Sequence, residues 1–102
     1  TGSFFKNIIV KNIKPTALRK KLLKKINKDK IMFGKIPTGY ILEVVGAKGM
    51  KCGGIMVAKH HGNLIYNSGL GKTSEILKLS KMLKIKVKIR FGLNLEEEIQ
   101  YV

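Results

Sequence analysis

The sequence predicts a single α/β domain of the α+β kind, in two layers, with a mostly antiparallel sheet of about four strands packed by two helices. Three observations carry that prediction. The chain has 102 residues, the length of one modest core. Its residues are 44% hydrophobic but only 7% aromatic, so the core is aliphatic and the chain too apolar to be a disordered tail. Short apolar runs broken by glycine and proline alternate with stretches of helical period.

The elements follow in order. Phe4 to Ile13 is rich in β-branched and aromatic residues and reads as a strand, stopped by Pro15. Thr16 is placed to cap a helix over Ala17 to Asn27, where Leu18, Leu22 and Ile26 form one apolar stripe among lysines. Gly34, Pro37 and Gly39 break the connector that comes next. Tyr40 to Val45 reads as a central strand. Ile55 to Lys59 and Leu64 to Asn67 read as two more, either side of a turn at His60-His61-Gly62-Asn63, and together these segments suggest an antiparallel meander. Thr73 or Ser74 caps a helix that runs to about Leu83, with Ile76, Leu77, Leu79 and Leu83 on its buried face. In Ile85 to Phe91, apolar residues alternate with Lys86, Lys88 and Arg90, the pattern of a strand with one core face and one cationic face. Residues 1–95 thus form one basic domain, and 96–102 a short tail, acidic and then apolar.

Charge narrows the function. Lys and Arg number 21 against six Asp and Glu, a formal net charge of +15, and Glu96, Glu97 and Glu98 concentrate half of the acids in one place. Such a surplus repels itself and calls for an anionic partner. Nucleic acid is expected rather than an anionic membrane surface, because no amphipathic anchor is in view, and no apolar run approaches the ~20 residues of a membrane span. Cys52 is the only cysteine, which precludes an internal disulfide and favours a reducing compartment.

Catalytic constellations are scarce. Gly69-Leu70-Gly71-Lys72-Thr73 has part of a phosphate loop, but Tyr66 stands where its first glycine is required. His60, His61 and Cys52 match no zinc spacing. Glu43 lacks a second acid or a base nearby, and either pairs with a lysine or faces out. The expectation is therefore no enzyme, no cofactor, no metal and no small-molecule substrate. Gly46-Ala47-Lys48-Gly49 is similar to the Gly-x-x-Gly loop of KH modules, so a free-standing nucleic-acid-binding regulator is one reading. The expected RNA-binding residues are Arg19, Lys20 and Lys24 on the first helix, Lys48, Lys51 and Lys59 around the glycine-rich loop, and Lys86, Lys88 and Arg90 on the last strand.

The order of three segments resembles a known family. Glu43-Val44-Val45-Gly46-Ala47-Lys48-Gly49-Met50-Lys51, Gly62-Asn63-Leu64-Ile65-Tyr66-Asn67-Ser68-Gly69 and Ile85-Lys86-Val87-Lys88-Ile89 resemble a strand and basic loop, a strand and turn, and the closing strand of one domain. That domain is the C-terminal domain of the universal small-subunit ribosomal protein three, and the likeness runs from about Pro15 to Phe91. The chain lacks that family's KH domain and offers lysines in place of its arginines, which suits a divergent organellar, mitochondrial version. The resemblance implies a structural constituent of the small ribosomal subunit that takes part in translation. It would bind ribosomal RNA and neighbouring head proteins, near messenger RNA at the entry side. Its place would be the ribosome of the mitochondrial matrix, or otherwise of the cytoplasm.

Overall fold

The computed structural model describes residues 3–98. It is an α+β domain with two antiparallel sheets and three α-helices among the described residues. The order is β1 (Ile8–Ile9), a 3-10 turn (Val10–Asn12), α1 (Thr16–Lys25), a 3-10 turn (Lys28–Lys30), β2 (Lys35–Ile36) and α2 (Thr38–Val44). After them come β3 (Lys51–Cys52), β4 (Ile55–Val57), β5 (Ile65–Asn67) and α3 (Thr73–Phe91).

β1 pairs with β2, Ile8 opposite Ile36. β3, β4 and β5 form an antiparallel meander, with Cys52 opposite Ile55 and Met56 opposite Tyr66. The meander is as the sequence suggests, but its first strand is Lys51–Cys52 and not Tyr40 to Val45. α3 packs against β3, β4 and α2. Between them lie fully buried Leu79, Leu83 and Val87 from α3, Ile41 and Leu42 from α2, and Ile55 and Val57 from β4. Each such side chain stabilises the fold by about 1.5–3 kcal/mol relative to exposure. α1 adds Leu22 to the core, and Ile26 just beyond the helix joins it, while Leu18 packs against it half-buried, as the stripe predicts.

Three segments differ from expectation. Tyr40 to Val45 is helical: Pro37 precedes the helix, Gly46 follows it at φ 79°, and burial falls on Thr38, Ile41 and Leu42, the three- and four-residue spacing of one helix face. Ile85 to Phe91 continues α3 instead of forming a strand. No glycine or proline interrupts residues 73–91, and Leu79, Leu83 and Val87 recur every four residues, so one buried row runs through the expected boundary. The helix stops at Gly92, at φ 73°. Phe4 to Ile13 is broken into an isolated bridge at Phe5, the short β1 and a 3-10 turn, because its partners are short and lie in different parts of the chain.

At one point two backbones meet closely. A Cβ on Gly54 would overlap the backbone of Gly71, so the turn between β3 and β4 and the loop before α3 require glycines there. Glu75 spans the same junction: its carboxylate accepts from the Lys72 N–H at 2.8 Å and the Gly54 N–H at 3.3 Å. These backbone donors hold its carboxyl below the usual carboxylate range.

Candidate active site

The candidate site lies where the first described segment meets the last. Phe5 and Glu97 form an antiparallel bridge. The Lys6 N–H donates to the Glu96 carbonyl, and the Glu98 N–H to the Phe4 carbonyl, both at 2.8 Å. Residues at opposite ends of the sequence thereby share one edge.

Side chains complete the seam. Asn63, in the turn before β5, accepts from the Phe5 N–H through Oδ1 and donates to the Phe5 carbonyl through Nδ2, each at 2.9 Å. Its own carbonyl accepts from the Phe4 N–H at 2.9 Å. The Thr38 hydroxyl donates to the Lys6 carbonyl at 2.6 Å, and its N–H donates to Asn7 Oδ1 at 3.1 Å. On the other segment, Glu97 accepts from the Ser80 hydroxyl at 3.2 Å and forms an ion pair with Lys84. Burial opposes the charge of Glu97, but Lys84, a backbone N–H and Ser80 outweigh it and hold the carboxyl below the usual range.

Beside this seam runs a cleft of about 650 Å³. Its polar lining includes Ser3, Lys6, Asn7, Lys14, Lys35 and Glu98, and its apolar lining Phe5, Ile8, Leu18, Leu93 and Leu95. Ser3 is the one hydroxyl among these described lining residues, and Glu96 and Glu98 are the acids. A hydroxyl, carboxylates and three cations on an apolar floor can bind an anionic organic molecule and exchange a proton with it.

None of the nine residues expected to bind RNA lines the cleft. Arg19 is half-buried and donates to the Lys11 carbonyl at 3.1 Å, and Lys20 and Lys24 are exposed on α1. Lys48 pairs with Glu43 at 2.9 Å, one of the two expectations for that acid. Lys51 is exposed on β3, and Lys59 lies two residues beyond β4. Lys86, Lys88 and Arg90 do not form a row. On a helix, residues two apart point about 200° from each other, so Lys86 and Arg90 share one side while Lys88 takes another and donates to the Gly92 carbonyl at 3.3 Å. Gly46 and Gly49, the two glycines of the KH-like loop, both have positive φ. Gly46 ends α2, and the Gly49 N–H donates to the Val57 carbonyl at 3.1 Å, so the loop is a helix stop leading into a hairpin.

Sequence reasoning passed over Ser3, Lys6, Asn7, Lys14, Lys35 and Glu98. One signal was present. In a chain with six acids, three stand together at residues 96–98, and the partners that use Glu97 are Ser80 and Lys84 of a helix.

The family model for the C-terminal domain of UDP-N-acetylenolpyruvoylglucosamine reductase matches residues 1–102. A UDP-N-acetylenolpyruvoylglucosamine reductase of Solibacter usitatus is 43% identical over 101 residues, covering 99% of this chain and 31% of that protein. One of Chloroherpeton thalassium is 41% identical over 63% of this chain and 21% of its own length, and one of Treponema pallidum 38% over 71% and 20%. The chain thus spans less than a third of the length of these curated relatives.

These matches overturn the resemblance to the small-subunit ribosomal protein. With it fall the expectations of a ribosomal constituent, of a nucleic-acid-binding regulator, of ribosomal RNA, head-protein and messenger RNA partners, and of a place on the ribosome or in the mitochondrial matrix. The expectations of no enzyme and no small-molecule substrate fall too, since the matching family is that of a reductase named for a nucleotide sugar. The structural reason is plain: of the three strings that carried the likeness, the second contains the strand β5, but the first is a helix end with its loop and the third the last turns of α3, where the likeness required strands. The chain belongs to the family of the C-terminal domain of UDP-N-acetylenolpyruvoylglucosamine reductase.

Proposed function

We propose that this domain forms part of a UDP-N-acetylenolpyruvoylglucosamine reductase and supplies the proton-handling and anion-binding side of its site. The observation that carries the reading is the presence of Ser3 and Glu98 in one cleft with Lys6, Lys14 and Lys35.

An enolpyruvyl ether has a terminal CH2 carbon doubly bonded to a carbon that bears the ether oxygen and a carboxylate. Its reduction adds a hydride to one carbon and a proton to the other. Hydride arriving at the CH2 carbon pushes the electron pair of the double bond toward the carboxylate, giving an enediolate. Cations beside that carboxylate stabilise the added charge, the general means by which a fixed site lowers such a barrier. Collapse of the enediolate then takes a proton at the ether-bearing carbon. The Ser3 hydroxyl is the donor in this reading, its alkoxide being reprotonated within the cleft where Glu98 lies. The remaining lysines meet the diphosphate of the nucleotide, so part of the +15 charge has an anionic counterpart in the substrate. A hydride donor completes the reaction.

The test is Ser3→Ala in the complete protein carrying this domain, with turnover measured on the enolpyruvyl substrate. A positioned proton donor contributes about 10²–10⁴-fold, so kcat should fall by that factor while KM changes little. A kcat within about 3-fold of the parent would reject Ser3 as the donor.

A further inference from the structure

A buried polar side chain is unfavourable unless its hydrogen bonds are met, so each one in a small core calls for an explanation. Among the described residues, the buried polar or charged residues are Thr38, Asn63 and Ser80. They come from α2, the turn before β5, and α3. All three nevertheless bond to the same two segments: Asn63 to Phe5, Thr38 to Lys6 and Asn7, Ser80 to Glu97. An apolar core has no need of them, and they converge on the walls of the cleft.

We propose that these three residues form a polar cradle that positions the cleft walls, with Asn63 as the positioning residue for the Ser3 hydroxyl; this rests on Ser3 being the proton donor. The side-chain amide of Asn63 imitates a neighbouring strand, accepting from and donating to one residue, Phe5. Its main-chain carbonyl takes the N–H of Phe4, the residue next to Ser3. The Phe4 carbonyl in turn accepts from the Glu98 N–H. One residue, Phe4, is therefore tied through its N–H to Asn63 and through its carbonyl to Glu98, and the peptide joining it to Ser3 is held in a fixed direction. Asn63 is itself held, its N–H donating to His61 Nδ1 at 3.1 Å. Apolar packing alone would let the segment slide or rotate, because hydrophobic contact is not directional. Two amide bonds to a single residue prevent both.

A double-mutant cycle in the complete protein tests this. Asn63→Asp keeps the size and the acceptor but loses the donor to Phe5. Thr38→Val keeps the shape and loses the hydroxyl bond to Lys6. Asn63→Asp should lower kcat about 10-fold with KM within about 3-fold, and should add no further loss to Ser3→Ala, because both act through one hydroxyl. Amide hydrogen exchange at residues 4–7 should accelerate while exchange in α3 stays as in the parent. Thr38→Val should show the same non-additivity with a smaller loss, and decides the matter if Asn63→Asp does not fold. Losses that multiply with Ser3→Ala, or unchanged exchange at residues 4–7, would overturn the cradle. If Ser3→Ala itself left kcat intact, the proposed donor would fail, while the exchange experiment would still decide whether Asn63 and Thr38 hold the segment.

Discussion

Two seams of this domain are held by opposite means. Where α3 crosses β3 and β4, the contact is apolar, with Leu79, Leu83, Val87, Ile55 and Val57 almost wholly removed from solvent. Where the segment after Ser3 meets residues 96–98, the contact consists of main-chain hydrogen bonds supplemented by Asn63, Thr38 and Ser80. The first kind of contact is strong and indifferent to direction. The second is weak in net free energy, about 0.5–1.5 kcal/mol per bond, and strict about geometry. Stability should therefore depend mostly on the α3 seam, and turnover on the other.

The largest effect that bears on this contrast is at Leu83. Leu83→Ala should cost about 2–5 kcal/mol in urea unfolding, as core truncations do, with kcat and KM of the folded protein unchanged. A cost below about 1 kcal/mol, or a selective loss of kcat, would break the division between the seams. A smaller effect is expected at Glu97, which ties the polar seam to α3. Its carboxyl titrates lower in the folded chain than the ordinary 4.5, so its contribution is present above that pH and is lost as pH falls through the lower folded value. With the Lys84 partner half-exposed, Glu97→Gln should cost under about 1 kcal/mol at neutral pH. Denaturation at a series of pH values should show that cost shrinking below 4.5; a cost that grew there would reverse the assignment. The smallest effect belongs to the outer cations of α3. Replacing Lys86, Lys88 and Arg90 by Gln should change stability by about 0.5 kcal/mol or less and leave KM unaltered, because they lie outside the cleft. A raised KM would bring that face into substrate binding and erase the contrast.

Much of the architecture was legible in the sequence, and the exceptions are instructive. α1 announced itself through Leu18, Leu22 and Ile26, and the hairpin of β4 and β5 through apolar runs around a polar turn. Tyr40 to Val45 is nearly all apolar, so it has no period to distinguish strand from helix; the useful signs were Pro37 before it and Gly46 after it. Residues 85–91 misled for the opposite reason. Their strict alternation fits a strand, yet the four-residue spacing from Leu79 through Val87 accounts for burial better and leaves Ile85 and Ile89 exposed. The cleft was not legible. Ser3 and Glu98 come to one cleft through pairing of the residues after Ser3 with residues 96–98, distant parts of the chain, and no local pattern encodes it. The cationic surplus was visible, but charge alone does not tell a polynucleotide from any other anion.

The bridge between Phe5 and Glu97 has a kinetic consequence. Forming it closes a loop of nearly the whole described chain, and the entropy lost on closure grows with the residues enclosed. The bonds within α3 and along the β3–β5 meander, by contrast, join near neighbours in sequence. Loop entropy thus favours late assembly and early opening of that edge, so the cleft beside it takes shape after the rest has folded.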